Sequence, residues 1–322
     1  MDPRKPLDTS AIALMLVLCL IWSMQQIALK ATAADFSPVL QIASRSAIGA
    51  LLVGMLMLLR RERMSFAAGV WQPGLLAGGC FALEFLLVGE ALRHTSAGHV
   101  VVFLYTAPVF AALGLHWKLP SERLAALQWF GVGLAFVGIA VAFLRGVQDG
   151  NADLPGMLWG DFLALLGGIA WAATTVLVRV TRLATLSATQ TLLYQLLAGF
   201  LLLLPAALLF GHTTFNPTPL VWLSLAFQSL IVCFASFLIW FALLRRYLAS
   251  RLGVLSFLTP LFGVILGAWL LDEAIEPGFI LGAGLALAGI TLVSSYGWLK
   301  SGHRAMLDRS SLRQARARAG DE

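Results

Sequence analysis

Ten apolar stretches follow one another through this chain, each close to the roughly 20 residues a helix needs to cross about 30 Å of hydrocarbon. They run approximately over 11–29, 37–59, 74–92, 96–115, 124–144, 155–178, 188–210, 220–244, 252–271 and 278–299. The polar residues between them are too few for a separate soluble domain. Hydrophobic residues make up 59% of the chain and charged residues only 12%, far outside soluble averages. The expected class is therefore an all-α membrane protein. Arg4 and Lys5, the apolar run and Ala31-Thr32-Ala33 imitate a secretory signal with its cleavage site. The run is long for a signal, however, and a copy of it recurs where no signal could be.

That copy is the second constraint. WSMQQIALK at Trp22 to Lys30 returns as WAATTVLVR at Trp171 to Arg179, 149 residues later. On a helix, positions i, i+3 and i+4 share a face. Trp22, Gln25 and Gln26 therefore form one polar stripe, and Trp171, Thr174 and Thr175 form its counterpart. Such stripes face protein or water rather than lipid. The repeat continues: Ala97 to Gly114 matches Ala249 to Leu266 with Pro108 over Pro260, WKLPSERL at Trp117 matches WLLDEAI at Trp269, and GVGLAFVG at Gly131 matches GAGLALAG at Gly282. Five spans per copy is an odd number, so the copies cross the membrane in opposite senses. Ten transmembrane helices as two inverted five-helix repeats, 10–147 and 155–299, follow. Inverted repeats with a site near the midplane are a transporter architecture.

The cations orient the chain. Assigned to alternate sides, 18 of the 22 Lys and Arg fall on the side of the N-terminus, six of them in the tail. Lys30, Arg93 and Arg145 fall on the other side, and Arg45 lies inside a span. The positive-inside rule puts both termini in the cytoplasm. The basic tail, residues 300–322 with Arg304, Arg309, Arg313, Arg316 and Arg318, reads as a cytoplasmic segment attracted to anionic lipid. It gives no reason to invoke nucleic acid.

Arg45 and Glu84 are the ionisable groups nearest the bilayer centre. At 1.5 Å per residue they lie at a common depth of roughly 12 to 14 Å, so they are expected to pair, as a structural link or as a coupling pair. A structural pair is slightly favoured, because the matching positions in the second copy are the uncharged Gln195 and Ser236. On that reading Glu84→Gln strands Arg45 and folds poorly. Otherwise Glu84 takes a proton or a substrate amine, or Arg45 a carboxylate. Glu90 and Arg93 read as an interfacial pair, and His99 as a capping residue. Pro108 and Pro260 are expected to kink their helices. They would free the carbonyls of Leu104 and Ser256, with Tyr105 and Phe257 one turn away as aromatic lining. Trp117, Trp129, Trp159, Trp222, Trp269 and Trp298 lie near span ends, the usual interfacial position. Trp22, Trp171 and Trp240 lie deeper and suit the wall of an amphipathic pocket. Cys19, Cys80 and Cys233 sit inside apolar spans without metal-ligand spacing; neither a metal, a disulfide nor a cofactor is expected.

The paired five-helix units, the proline in the fourth helix of each, the W-x(3,4)-E turns at Glu122 and Glu273 and the following G-x6-G helix resemble the drug/metabolite transporter superfamily. Within it they resemble the ten-helix family built from two EamA domains. The resemblance covers about residues 10 to 299. It implies a central cavity lined mainly by helices 1, 3, 4, 6, 8 and 9 and export of small metabolites such as amino acids. The chain looks similar to the aromatic amino acid exporters of bacteria, which implies a bacterial inner membrane. The expected substrate-binding set is Trp22, Gln25, Gln26, Glu84, Tyr105, Trp171, Thr174, Gln228, Trp240 and Phe257. A multidrug or sugar-derivative exporter of the same fold is the alternative. No GxxxxGK[ST] loop is present, which excludes ATP-driven pumping by this chain alone, and the absence of HExxH and GxSxG argues against a membrane enzyme. A non-transporting receptor or scaffold would not need polar stripes in both halves. The oligomeric state is not fixed by the sequence, and a monomer is compatible with it.

Overall fold

The computed structural model describes residues 7–67, 69–95, 100, 103–144, 154–271, 278, 280–293 and 296. The basic tail, His99, Glu273, Trp298 and the boundary segment around residue 150 lie outside them. The described residues form helices throughout: α1 Thr9–Thr32, α2 Pro38–Leu59, α3 Trp71–Ala91, α4 Ala107–Lys118, α5 Ala126–Leu144, α6 Leu154–Val180, α7 Ala188–Leu209, α8 Pro219–Arg246, α9 Ala249–Leu255, α10 Leu258–Leu271 and α11 Ile280–Val293. Among the described residues, seven helical stretches are long and apolar enough to cross a membrane, with α10 joined to α9 in one of them; α5 and α11 contain shorter apolar runs. The fourth expected span, 96–115, lies partly outside the described residues.

Local chemistry sets the helix ends. Asp8 caps α1 by accepting from the Ala11 N–H at 2.8 Å, and Thr218 caps α8 by accepting from the Val221 N–H. Pro38 and Pro219 occupy first turns, where a missing N–H costs nothing. Within α8, Phe227–Ser236 is wound as π-helix, a form found mostly at functional sites.

Polar contacts sort the connecting segments into two groups, one at each end of the bundle. At the end where α1 begins, the Tyr247 hydroxyl donates to Asp8 at 2.8 Å, Ser187 donates to Glu62 at 2.9 Å, and the Tyr194 hydroxyl donates to the Ser65 carbonyl. At the other end Asp35 accepts from the Asn216 N–H at 2.7 Å, Thr95 donates to Asp161 at 2.8 Å, and Arg93 meets both Glu90 and His212. Glu90 and Arg93 thus form an ion pair, at 3.1 Å. Trp117, Trp159, Trp222 and Trp269 are exposed, consistent with facing lipid at the interfaces.

The most extensive helix contacts join the front of the chain to its back: α3 against α6, and α2 against α7. Two junctions between the front and the back of the chain are built twice. A Cβ on Gly138 would come within 2.6 Å of the Gly282 carbonyl and 2.4 Å of the Ala286 nitrogen; one on Gly289 would come within 2.4 Å of the Gly131 carbonyl and 2.5 Å of the Ala135 nitrogen. These are corresponding positions of the G-x6-G helices, α5 and α11, which cross backbone to backbone. Likewise Gly49 on α2 faces Leu196 on α7, while Gly199 on α7 faces Ser46 on α2.

The prolines do not kink continuous helices. The chain turns at Tyr105–Thr106 and at Ser256–Phe257, and Pro108 and Pro260 fall in the first turn of the helix that restarts, α4 and α10. Each break falls two to four residues before its proline, because in a continuous helix the proline ring would clash with the carbonyl four residues back and leave it without an N–H. The Ser256 carbonyl accepts from the Thr259 N–H at 2.9 Å. Each break lies against the opposite half: Gly168 on α6 brings the Phe103 and Leu104 carbonyls to 2.9 Å of where its Cβ would be, while on α1 the Cys19 thiol donates to Leu255 O at 3.5 Å and Ser23 donates to Thr259 O at 2.6 Å.

Gly138→Ala is expected to destabilise by roughly 1–3 kcal/mol, the usual range for overpacking. Gly133→Ala on the same helix, where a Cβ meets nothing within 4 Å, is expected to be neutral. Thermal unfolding of the two detergent-purified variants, followed by size exclusion, checks the difference.

Candidate functional site

Between the halves lies a cavity of about 90 Å³, room for several waters or one small metabolite. Both polar stripes reach it: Trp22, Gln25 and Gln26 of α1 and Trp171, Thr174 and Thr175 of α6 all line it. Glu84, Tyr105 and Trp240 complete the part of the wall expected from the sequence. Gln228 and Phe257 do not line it; both are fully buried. Gln228 holds the wall from behind, donating to the Gln25 carbonyl at 3.1 Å. Phe257 occupies the turn between α9 and α10.

The aromatic rings are set edge to face, the arrangement their quadrupoles prefer. Trp22 meets Trp240 with centroids 5.5 Å apart, and Tyr105 meets Trp171 at 5.4 Å. The Trp22 indole N–H donates to the Ser236 hydroxyl at 3.1 Å, so the π-helical turn of α8 fixes the ring. Phe81 and Phe85 of α3, Phe237 and Phe241 of α8, and Gln195 of α7 also face the cavity and were not expected. The spacing Phe81, Glu84, Phe85, Val88 puts them on one helical face, which was the available signal. Nothing local in the sequence marks the inward faces of α7 and α8.

Arg45 and Glu84 do not pair. The Arg45 guanidinium donates through Nη1 to Gln228 Oε1 and lies 4.8 Å from the centroid of the Phe85 ring, a cation–π contact. It is fully buried and absent from the cavity wall. The expected pairing rested on depth, which does not choose a partner: Arg45 is met by Gln228 and Phe85 instead.

A buried ion pair does exist, at the end of the bundle where α1 begins. Glu122, in the short turn Pro120–Glu122 after α4, is 1% exposed and Arg179, at the end of α6, 3%. The Arg179 Nε donates to Glu122 at 2.9 Å and its Nη2 donates to the same oxygen. The carboxylate also accepts from the Ala249 and Ser250 N–H groups, each at 3.0 Å, and from the Ser250 hydroxyl at 2.7 Å. One side chain thereby ties α4, α6 and α9 together. Glu122 was visible as the acid of the W-x(3,4)-E turn, but Arg179 read only as the cation that closes its helix. Among the described residues no cluster of His, Cys, Asp and Glu could hold a metal ion.

A membrane-embedded helical bundle around an amphipathic cavity defines a carrier of small solutes. The comparisons with known proteins give the family. The model of the EamA-like transporter family matches residues 9–144 and again 158–295, and the chain belongs to that family, one of integral membrane transporters rather than enzymes. It is 24% identical over 277 residues to the uncharacterized transporter YoaV of Bacillus subtilis, covering 84% of this chain and 92% of that one. A probable amino-acid metabolite efflux pump of Salmonella typhimurium is 26% identical over 217 residues, 64% of this chain and 71% of that one. A solved crystal structure superposes with a TM-score of 0.74 at 22% identity, covering 88% of this chain and 98% of that chain, which shows a shared fold.

Two outcomes test the buried charges. Glu122→Ala strands Arg179 and is expected to cost about 3–5 kcal/mol, seen as a large fall in folded yield, whereas Ser250→Ala costs about 1 kcal/mol. Because Arg45 donates its hydrogen bond to Gln228 and not to Glu84, Glu84→Gln is expected to reach wild-type yield and monodispersity, the reverse of what the pairing in the sequence implied.

Proposed function

We propose that this protein is a secondary exporter of small amphipathic metabolites, amino acids including aromatic ones foremost, in a bacterial inner membrane. It works by alternating access between two inverted five-helix repeats, 10–147 and 155–299. Ten helices cross the membrane, both termini lie in the cytoplasm, and the tail 300–322 rests on anionic lipid. One observation carries this reading: two polar stripes 149 residues apart in sequence converge on a single cavity. The twice-built junctions of α5 with α11 and α2 with α7 support the repeat, as does the twofold match of the family model. The name of the Salmonella relative supports the amino-acid class.

Rings on the wall suit an apolar side chain, and Gln25, Gln26, Thr174 and Thr175 supply the few convergent polar groups typical of small-molecule sites. With the termini inside, Glu122 and its partners lie at the cytoplasmic end. Their tie closes that end, and inward opening requires α9 or α6 to leave the carboxylate. A single protomer contains the whole cavity, which supports a monomer as the working unit.

Counterflow of radiolabelled phenylalanine into proteoliposomes tests this reading. Trp171→Ala and Gln25→Ala are each expected to reduce uptake roughly tenfold, the cost of about one lost charge-free hydrogen bond or ring contact, without lowering the amount of reconstituted protein. Unchanged counterflow in both variants would remove the two stripes from the substrate path.

A further inference from the structure

Among the described residues, Glu84 is the one charged side chain on the cavity wall. It is 8% exposed and makes no hydrogen bond or salt bridge to any described residue. Its surroundings on the wall are the rings of Trp22, Phe81, Phe85, Tyr105, Trp171 and Trp240. A carboxylate placed in an aromatic enclosure without a hydrogen-bonding partner is a costly arrangement. It is relieved by a ligand that brings a cation with N–H donors, since the ammonium satisfies the carboxylate and ring faces attract the same charge.

The cavity offers no matching cation for an anionic group. Arg45, the nearest intramembrane guanidinium, is turned away behind Phe85 and committed to Gln228. What remains for a carboxylate is neutral: the amides of Gln25, Gln26 and Gln195 and the hydroxyl of Thr175, since the Thr174 hydroxyl donates to the Ala170 carbonyl at 3.1 Å. The Gln195 Nε2 is buried without a hydrogen-bond partner, so one amide donor is available to a carboxylate or carbonyl. A carboxylate there gains neutral hydrogen bonds while sharing the enclosure with Glu84. An ammonium at Glu84 gains a charge-assisted bond, the stronger kind.

We infer that Glu84 is the recognition point for a protonated amine, so that the cargo is defined by an ammonium group beside an aromatic or apolar body and its carboxylate is dispensable. This rests on the cavity being the substrate site. Amino acids enter by their ammonium, the corresponding decarboxylated amines enter as well, and N-acylated acids are rejected because they offer Glu84 no positive charge. The specificity is thus set by α3, whereas the polar stripes of α1 and α6 supply neutral groups to the rest of the cargo.

The test is equilibrium binding of phenethylamine, phenylalanine and N-acetylphenylalanine to the detergent-purified full chain, read by ligand-induced thermal shift and by quenching of tryptophan fluorescence. The expected result is that phenethylamine binds at least as tightly as phenylalanine, and N-acetylphenylalanine about tenfold or more weaker, the worth of a charged hydrogen bond. Glu84→Gln should weaken phenethylamine by a similar factor and leave N-acetylphenylalanine unchanged. Glu84→Asp, which keeps the charge, should retain the preference for the amine, and it decides the matter together with the wild type if the Gln variant is not recovered folded. N-acetylphenylalanine binding as tightly as phenylalanine, with Trp171→Ala weakening both, overturns the inference but leaves the cavity as the substrate site. Undiminished amine binding by Glu84→Gln overturns the assignment to Glu84. Failure of all three compounds to bind overturns the inference and the reading of the cavity together.

Discussion

In hydrocarbon every polar group has to be met by the protein itself, and that requirement decides which helices of this bundle touch. Arg45 draws α8 against α2 through Gln228, and Gln228 in turn reaches the backbone of α1 at Gln25. Gln41 donates to Ser224 at 2.7 Å one turn further along the same two helices. Glu122 gathers α4, α6 and α9 around one carboxylate. Hydrophobic burial cannot make these choices, because lipid is as apolar as leucine. Small residues let the backbones come close, and polar groups select which backbones do so.

The same economy appears at the broken helices. A turn in mid-bundle exposes carbonyls that lipid cannot solvate, so each break is laid against a helix of the other half. Gly168 answers the first break by getting out of the way; Cys19 and Ser23 answer the second by donating to it. Corresponding positions in the two halves thus meet one physical demand by different means. The halves also differ in their charges, Arg45 and Glu84 having no ionised counterparts at Gln195 and Ser236. The two halves of the sequence therefore contribute unlike groups to one cavity.

Much of the framework was legible in the sequence, because the signals were long and doubled. The apolar stretches, the stripe residues of α1 and α6 and the glycines of α5 and α11 could each be read twice, and the structure puts all six stripe residues on one cavity. What could not be read was partner choice. Depth along a helix places Arg45 and Glu84 at one level, yet rotation about the helix axis sends Arg45 behind Phe85. Arg179 sits at a span end, where a cation reads as solvated, and only the return of the chain at Ala249 shows that it is buried beside Glu122. Gln228 carries the polarity of a cavity residue, but the π-helical winding of Phe227–Ser236 turns it toward Arg45.

That winding has a consequence for how the chain tolerates length changes. A π-helical segment holds more residues per turn than an α-helix, so α8 is out of phase before and after it. Removing one residue from the α-helical part, between Pro219 and Ala226, would rotate everything downstream by about 100°, carrying Trp240 off the cavity wall and Ser236 away from the Trp22 indole, whereas a residue removed between Phe227 and Ser236 is largely offset as the wide turns tighten. The membrane would still be spanned and the composition hardly altered. Alignments that score only hydropathy would pass such a chain as equivalent, although its solute path would have lost one side.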